Sequence, residues 1–209
     1  MKPVLKPIRI VIMAKAPRAG LAKTRLIPAL GADGAAQLAQ RMLQHALGEA
    51  IAADLGPVEL CRTPDDDAAW QGIKLPARLT LSAQGDGDLG ARMDRVAARV
   101  IAAGEALLLI GTDCPALNAD VLRQTAACLQ AADAAMVPAS DGGYVALALR
   151  RHDPQLFRDI RWSSASVASE QRARIAQLGW SLASLPPQHD IDEPADLQHL
   201  PREWNTAHA

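Results

Sequence analysis

Hydrophobic and polar positions follow two different periods along this chain. Short, almost uninterrupted apolar runs are typical of strands buried on both faces of a parallel sheet. Longer segments repeat apolar residues every three to four positions, as helices with one buried face do. The predicted strands cover residues 8–13, 58–61, 79–82, 106–110, 136–139, 144–149 and 182–185. The predicted helices cover residues 33–53, 118–132 and 163–178, with a further helix opening after residues 84–90 and short ones behind residues 63–67 and 189–196.

The order of these elements predicts the fold class. Strands alternate with helices, an order that places helices on both faces of a mostly parallel sheet. Residues 144–149 follow a short Asp141-Gly142-Gly143 turn, which favours an antiparallel partner for that strand. We therefore predict an α/β fold, a three-layer α/β/α sandwich with a mostly parallel sheet and an antiparallel strand. Its 209 residues show no linker or repeat, so we expect one domain over residues 1–209, with residues 201–209 as a loose tail.

Composition narrows the classes of function. The chain is 49% hydrophobic with a formal net charge of -1, so it is globular and carries no global field that would attract nucleic acid or membranes. Its three cysteines form no CxxC pattern, which argues against a disulfide framework or a structural zinc site. The N-terminus lacks the apolar core of a signal peptide, and no apolar run reaches transmembrane length. We expect a cytoplasmic location and neither nucleic acid nor a membrane as partner.

A cationic loop directly follows the first predicted strand. Within residues 15–25 it holds Lys15, Arg18, Lys23 and Arg25 with no acidic residue, and Gly20 lets the backbone approach a ligand closely. In an open α/β sheet, ligands bind beyond the carboxyl ends of the strands. Basic side chains and backbone N–H groups there predict a phosphorylated ligand, foremost a nucleotide. The alternative is a solvated basic loop that pairs with nearby carboxylates.

Aspartates follow two other predicted strands. Asp113 comes directly after residues 106–110, and Asp190 and Asp192 follow the last strand. Carboxylates at this edge can hold Mg²⁺ (or Mn²⁺), which binds through a few oxygens and retains several waters. The alternatives are a turn-capping Asp113 and a helix-capping Asp192 ahead of Glu193-Pro194. We take Asp113 and Asp192 as the first metal candidates and Asp190 as the next.

Two further loops carry weaker signals. Asp141 is predicted either to begin a simple hairpin turn or to stand near an acceptor group as a base or an orienting residue. The glycine-rich segment 84–90 is predicted either to cap the following helix or, through Gly87, to approach a base or sugar closely.

Together, residues 14–26, 84–93, 110–115, 141–144 and 190–197 resemble, in this order, the motifs of a bacterial family of GT-A-like transferases. Some members are labelled arsenosugar-biosynthesis glycosyltransferases, and the family is related to phospholactate and molybdenum-cofactor guanylyltransferases. The resemblance implies a nucleotide-diphospho-sugar transferase fold with a divalent metal, with Lys15, Lys23 and Arg25 on the nucleotide phosphates. It places Asp113 at the metal and Asp192 as a second ligand. The usual GT-A signature is Asp-x-Asp, whereas this chain has a single aspartate in Thr112-Asp113-Cys114, a form closer to the nucleotidyltransferase branch.

These observations predict a metal-dependent transferase that uses a nucleotide-activated donor. Glycosyl transfer from a nucleotide sugar to a small-molecule acceptor is the leading hypothesis, and nucleotidyl transfer from a triphosphate with release of pyrophosphate is the alternative. In either reaction Asp113 and Asp141 are the candidate catalytic residues. A hypothesis of another class is a nucleotide-binding module without catalysis, and a weaker one is a small-molecule kinase or phosphatase. The base, the sugar and the acceptor stay open.

Overall fold

Seven strands form one sheet in the computed structural model, which describes residues 7–204. The strands are β1 (Ile8–Lys15), β2 (Val58–Thr63), β3 (Thr80–Ala83), β4 (Ala106–Ile110), β5 (Ala134–Pro138), β6 (Tyr144–Leu149) and β7 (Leu182–Ser184). The α-helices are α1 (Ile27–Ala52), α2 (Asp67–Trp70), α3 (Leu89–Ala102), α4 (Ala119–Cys128) and α5 (Val167–Gln177). Short 3-10 helices cover Thr24–Leu26, Pro154–Phe157 and Pro194–His199.

The sheet is mostly parallel, as the alternation of strands and helices predicts. Its strand order is β3-β2-β1-β4-β6-β5-β7, and β6 runs antiparallel to both of its neighbours. The five residues between β5 and β6 are too few for a crossover helix, so the chain turns back as a hairpin. The predicted α/β sandwich with one antiparallel strand is therefore confirmed.

Alternate side chains of the central strands pack into two separate core layers, one on each face of the sheet. In β1, Ile10 and Ile12 are fully buried on the side covered by α1 and α4, where they pack with Leu43. Val11 is equally buried on the other side, where α3 supplies Val96. Since both faces of the sheet are covered, its central strands lack the apolar–polar alternation of a half-exposed sheet.

The boundaries of α1, α4 and β5 differ from the predicted ones. Helix α1 begins at Ile27 rather than residue 33, but Gly31 has φ 70° and ψ 168°, so regular winding resumes close to the predicted start. Helix α4 ends at Cys128, before the predicted residue 132, although Asn118 caps its N-terminus as expected and accepts from the Val121 N–H at 3.1 Å. Strand β5 runs over residues 134–138 rather than 136–139.

Two predictions concern the C-terminal part of the chain. Helix α5 begins at Val167 rather than near residue 163, and the hydroxyl of Ser164 donates to the Arg161 carbonyl at 2.6 Å. The loose tail over residues 201–209 stays a prediction; at Trp204 the Arg41 guanidinium of α1 lies 4.9 Å from the indole centroid. The rest of that tail, residues 205–209, lies outside the described residues.

The cysteines and the helices bear on the remaining sequence predictions. Cys61, Cys114 and Cys128 are free thiols. Within residues 7–204, no helix combines the length and the apolar character needed to cross a bilayer.

A buried ion pair ties the first strands to α3. The Glu59 side chain is fully buried, and its Oε1 lies 2.5 Å from Nη2 of Arg99 and accepts from the Ser82 hydroxyl at 2.5 Å. Arg9 lies 3.5 Å from the other carboxylate oxygen. Burial by itself would raise the pKa of Glu59, but the hydrogen bonds from Arg99 and Ser82 and the nearby guanidinium charges outweigh it and lower the pKa.

Glu59→Gln should lower the free energy of unfolding by about 2 kcal/mol at neutral pH, because the hydrogen bonds from Arg99 and the ion pair with Arg9 lose their charged partner. The folded pKa of Glu59 lies below its ordinary value of 4.5, so the carboxylate's contribution is present above that value and is lost as pH falls through the folded pKa. Urea unfolding at neutral and acidic pH measures the difference.

Asp120→Asn is the matched control for this substitution. It removes an exposed pair with Arg123 on α4, and we expect a change below about 0.5 kcal/mol. A Glu59→Gln deficit that is as large in acid as at neutral pH would show that the carboxylate's charge is not what stabilises this region.

Candidate active site

The candidate site lies at the carboxyl edge of the sheet, where three distant segments meet. Strands β1 and β4 are parallel neighbours, with Ile12 opposite Ile110, so the loops that follow them leave the sheet side by side. The segment after β7 joins them, because the backbone N–H of Ile191 donates to the Asp113 carbonyl at 2.8 Å. The cationic loop, Asp113 and the 190–192 segment therefore share one edge, as predicted.

Ile191 fixes the position of the two aspartates beside it. Its side chain is fully buried in a small cluster with Leu26 and Met42, next to the first crossover. Only the middle residue of the Asp190-Ile191-Asp192 sequence is apolar. Burying it anchors the segment and leaves a carboxylate on either side at the ligand-facing edge.

Lys23 joins these segments through its ammonium group. Its Nζ lies 2.6 Å from Oδ1 of Asp113 and 2.6 Å from Oδ1 of Asp192, and it donates to the Ile191 carbonyl at 2.6 Å. An ammonium has three N–H donors, so these contacts account for all of them. The Lys23 side chain is only 8% exposed. In the structure Lys23 is the internal counter-charge of two aspartates, and the phosphate contact that the resemblance implies for it stays a prediction.

The pKa of Lys23 reflects this environment. Burial would lower it, but attraction to the Asp113 and Asp192 carboxylates and the hydrogen bonds with both outweigh burial and raise the pKa above 10.5. The group is therefore charged throughout the neutral range. Its backbone adopts φ 49°, a left-handed conformation that is uncommon for a lysine and directs the chain into the 3-10 helix Thr24–Leu26.

The other cations of the loop have separate positions. The Arg25 side chain is 61% exposed, and its Nη1 lies 3.9 Å from Oδ2 of Asp192. Lys15 ends β1 as an exposed side chain, and within residues 7–204 it makes no ion pair. Both line a cavity at the sheet edge, where their charges are available to a ligand.

Arg18, Gly20 and Gly87, which are predicted to contact the nucleotide, lie outside the two cavities at this edge. The Arg18 guanidinium donates to the carbonyls of Ala69 at 2.7 Å and of Gln71, so it fastens the α2 region to the loop. Gly20 and Gly87 have φ 73° and 99°, which shape their turns, and none of the three residues lines either cavity described below. In the structure these residues shape and fasten the loops, and their assignment to nucleotide binding stays a prediction.

Two adjoining cavities open at this edge. One of about 390 Å³ lies beyond β1, β2 and β3, and we call it the basic cavity because Lys15, Lys23, Arg25 and Arg92 line it. The other, of about 400 Å³, lies beyond β4, β6 and β5, and we call it the acidic cavity because it includes four aspartates. Both are lined by Met13, Arg25, Leu89, Asp113 and Asp192. Two of the aspartates thus stand where the cavities meet.

The far end of the basic cavity holds residues that sequence analysis did not assign. Gln84 is buried and donates from its amide to the carbonyls of Ala14 and Cys61 at 3.2 and 3.0 Å. Its oxygen accepts from Arg92 at 3.2 Å, and Arg92 also donates to the Gly87 carbonyl at 2.9 Å. The sequence feature that could have identified Arg92 is its position as a basic residue in the first turn of α3, the helix that Asp88 caps.

The acidic cavity contains Asp141 and Asp190. Oδ1 of Asp141 accepts from the Gly143 N–H at 2.8 Å, which is the predicted turn, while the residue also lines the cavity. Burial and the charges of Asp141, Asp192 and Asp113 raise the pKa of Asp190 to about 6. The two carboxylates therefore stand close enough to influence each other electrostatically.

Asp113 and Asp192, where the cavities meet, could supply part of the ligand set of a divalent cation such as Mg²⁺. Lys23 occupies Oδ1 of Asp113 and of Asp192, which leaves one oxygen on each carboxylate. Asp192 is not a helix cap, because Glu193 is the N-cap residue of the helix Pro194–His199. Asp196 in that helix accepts from the backbone N–H groups of Asp192 and Glu193 at 3.0 and 2.7 Å. Between residues 7 and 204, no group of three or more His, Cys, Asp or Glu side chains forms a protein-only metal site. Two carboxylates suit Mg²⁺ completed by water and substrate phosphates.

A comparison with protein families matches residues 43–164 to the family described as "Uncharacterized protein conserved in bacteria (DUF2064)". The chain belongs to this family. No curated protein matches it. Structural comparison places this DUF2064 protein beside a crystal structure from Desulfovibrio desulfuricans G20, named provisionally as a nucleotide-diphospho-sugar transferase. That structure is 28% identical with a TM-score of 0.87, and the match covers 98% of this chain and 90% of the other.

More distant structures share the fold. CMP:2-keto-3-deoxy-manno-octonic acid synthetase, solved with CTP, has 14% identity and a TM-score of 0.57, over 92% of this chain and 95% of the synthetase. Rv0371c from Mycobacterium tuberculosis H37Rv, solved with manganese, has 16% identity and a TM-score of 0.52, over 93% and 97%. The DUF2064 chain thus has the nucleotide-diphospho-sugar transferase fold, which both nucleotide-sugar transferases and nucleotidyltransferases use.

Lys23→Met should lower the free energy of unfolding by about 1–2 kcal/mol, less than for a wholly buried pair because both aspartates are partly exposed. Since the pKa of Lys23 is raised, its contribution is present below 10.5 and is lost only as pH rises beyond the folded pKa. Urea unfolding should therefore give the same deficit at neutral and at mildly alkaline pH.

Lys15→Met removes an exposed lysine from the same edge and serves as the control, with an expected change within about 0.5 kcal/mol. A Lys23→Met deficit that vanishes at mildly alkaline pH would mean that burial dominates and that the ammonium loses its proton there.

Proposed function

We propose that this protein is a metal-dependent transferase that uses a nucleotide-activated donor, foremost a glycosyltransferase that acts on a nucleotide sugar. The observation that carries the proposal is the position of Asp113 and Asp192, which Lys23 holds at 2.6 Å each where the basic and acidic cavities meet. One cavity suits the anionic donor, the other suits an acceptor, and the aspartates stand between them. The likeness to a provisionally named nucleotide-diphospho-sugar transferase supports the same assignment.

Donor binding is assigned to the basic cavity. Phosphate oxygens favour charge-assisted donors, and Arg25 and Lys15 present exposed cationic groups beside the junction. Arg25 stands next to Asp192, so in this proposal it faces the phosphates closest to the bond that breaks. Arg92 and Gln84 form the distant end, which the base or ribose would occupy.

Mg²⁺ or Mn²⁺ would be held by the remaining oxygens of Asp113 and Asp192, with Asp190 as the next candidate. When bound, such an ion supplies positive charge that stabilises the phosphate oxygens as the donor bond breaks. Lys23 keeps the two like-charged carboxylates together and so preserves the geometry of the pair.

Asp141 is assigned to the acceptor. The turn uses only one of its oxygens, so the other can accept a proton from an acceptor hydroxyl or orient that group. The edge holds donor and acceptor in adjoining cavities, and most of the rate enhancement in such a site comes from positioning and electrostatic stabilisation.

Nucleotidyl transfer with release of pyrophosphate is the second candidate. It is favoured by the single aspartate in Thr112-Asp113-Cys114 and by the likeness to a synthetase solved with CTP. Incubation with nucleoside triphosphates and nucleotide sugars in the presence of Mg²⁺ or Mn²⁺ distinguishes the two. Nucleoside diphosphate released from a nucleotide sugar indicates glycosyl transfer, and pyrophosphate released from a triphosphate indicates nucleotidyl transfer. Tight nucleotide binding without turnover under any metal would instead indicate a binding module.

The free cysteines fit the cytoplasmic location, which stays a prediction.

Asp113→Asn should abolish the metal-dependent part of nucleotide binding, because the substitution removes a ligand charge at the junction. Thermal stability should stay near wild type, since the Asp113 side chain is 45% exposed and such pairs contribute about 1 kcal/mol or less. Isothermal titration of nucleotides with and without Mg²⁺ measures the first effect, and thermal unfolding measures the second. A collapse of folding would make Asp113 a structural residue instead.

Arg25→Ala should weaken nucleotide binding about tenfold or more, because one charge-assisted contact contributes about 1.5 kcal/mol or above. Arg18→Ala is the matched control: it removes a guanidinium of the same loop that bonds only to backbone carbonyls. That variant should lose stability while nucleotide affinity stays unchanged. Equal affinities for wild type and Arg25→Ala would remove Arg25 from the site.

A further inference from the structure

One wall of the acidic cavity is the turn at residues 162–165. Trp162 and Ser163 line the cavity there, next to apolar side chains that include Leu89, Met93 and Val145. A partly buried indole beside aliphatic side chains offers an apolar surface to a ring-sized ligand. This turn has no part in the donor contacts described above.

The turn is held in place from α3. A Cβ built on Gly90 would lie 2.5 Å from Nε1 of Trp162 and 2.8 Å from the Phe157 carbonyl oxygen. No side chain fits there, so the glycine lets the indole pack directly on the helix backbone. The indole position is therefore set by the start of α3, the same helix that carries Arg92.

The turn is also held from the Asp141 side. A Cβ on Gly142 would lie 2.1 Å from the Ala165 carbonyl oxygen, and the Gly142 carbonyl accepts from the Ala168 N–H at 2.8 Å. The turn that carries Asp141 and the wall that carries Trp162 thus pack backbone to backbone. This close contact fixes the position of one turn relative to the other.

Ser163 adopts φ 62° at the tip of this wall. A non-glycine residue in the left-handed region persists when its surroundings determine the conformation, and such residues cluster at binding sites. The hydroxyl of Ser164 bonds to the Arg161 carbonyl at 2.6 Å and to the Ser166 hydroxyl at 2.8 Å, which stiffens the segment that follows.

The charges of the cavity restrict what can lie against this wall. Asp141 and Asp190 make no ion pair with any residue from 7 to 204, and Arg25, the one guanidinium lining the cavity, lies beside Asp192 at the junction. An anionic group beside Asp141 and Asp190 would meet like charge, whereas hydroxyl or ammonium donors would meet acceptors.

We infer that the acidic cavity selects an uncharged or cationic acceptor with an apolar ring face and several hydroxyl or amino groups, and that Trp162 and Ser163 determine this specificity. The ring face packs on Trp162, and the hydroxyl or amino groups face Asp141 and Asp190. Phosphorylated and carboxylated acceptors are disfavoured. This inference deepens the proposed function by naming the acceptor class, and it rests on that function.

Glucosamine, glucose and glucose 6-phosphate test the inference as a matched set in saturation-transfer NMR titrations of the full chain. Glucosamine and glucose should bind at least about tenfold more tightly than glucose 6-phosphate. Trp162→Ala should weaken glucosamine and glucose binding about tenfold and leave nucleotide affinity unchanged, while Trp162→Phe should retain most of it. Trp180→Ala, which removes an indole outside both cavities, should change neither affinity.

Asp141→Asn with Asp190→Asn adds an independent readout that does not require the indole variant to fold. It should reduce the preference for glucosamine over glucose 6-phosphate. Equal or tighter binding of glucose 6-phosphate, no binding of glucosamine and glucose, or unchanged binding by Trp162→Ala would each overturn the inference. If these sugars bind through Trp162 while no nucleotide binds, the proposed function fails, and only the ligand class assigned to the acidic cavity stands. If nucleotide is turned over but glucose 6-phosphate binds best, the acceptor assignment alone fails.

Discussion

The ammonium of Lys23 is the interaction on which the candidate site depends. It bonds Asp113, Asp192 and the Ile191 carbonyl, which come from the segments after β4 and β7, while Lys23 itself follows β1. Without a cation between them, two carboxylates this close would repel each other, and this repulsion would disfavour the packing of the segments that carry them. Because all three N–H donors are used, the geometry of the pair is set before any ligand binds.

The sheet topology divides the ligand edge into two chemically different halves. Strands β1, β2 and β3 end beside the basic cavity, whereas β4, β5 and the start of β6 border the acidic one. The antiparallel course of β6 matters here, because its hairpin with β5 returns Asp141 to the same edge as Asp113. A basic half and an acidic half that share Asp113 and Asp192 suit a reaction between an anionic donor and an acceptor of a different charge.

Close backbone packing holds the elements around the acidic cavity in fixed relative positions. Gly90 and Gly142 each stand where a Cβ would collide with the segment that carries Trp162. Those two contacts connect α3, the Asp141 turn and the Trp162 wall, so that a displacement of one is felt by the others. The basic half is built differently, with exposed cations on a loop that Arg18 fastens to the α2 region.

The sequence by itself determined the sheet class, the antiparallel hairpin strand and the edge at which the charged segments lie, because buried strands and their turns leave local periodic patterns. It could not assign roles to four similar cations in one loop. Only the tertiary structure separated Arg18, which bonds carbonyls, from Lys23, which is enclosed by aspartates, and from the exposed Arg25. It also revealed Arg92 beside Gln84 and corrected the Asp192 cap. The reason is physical: a charged side chain's role depends on its nearest partners, and here those partners lie up to 169 positions away in sequence.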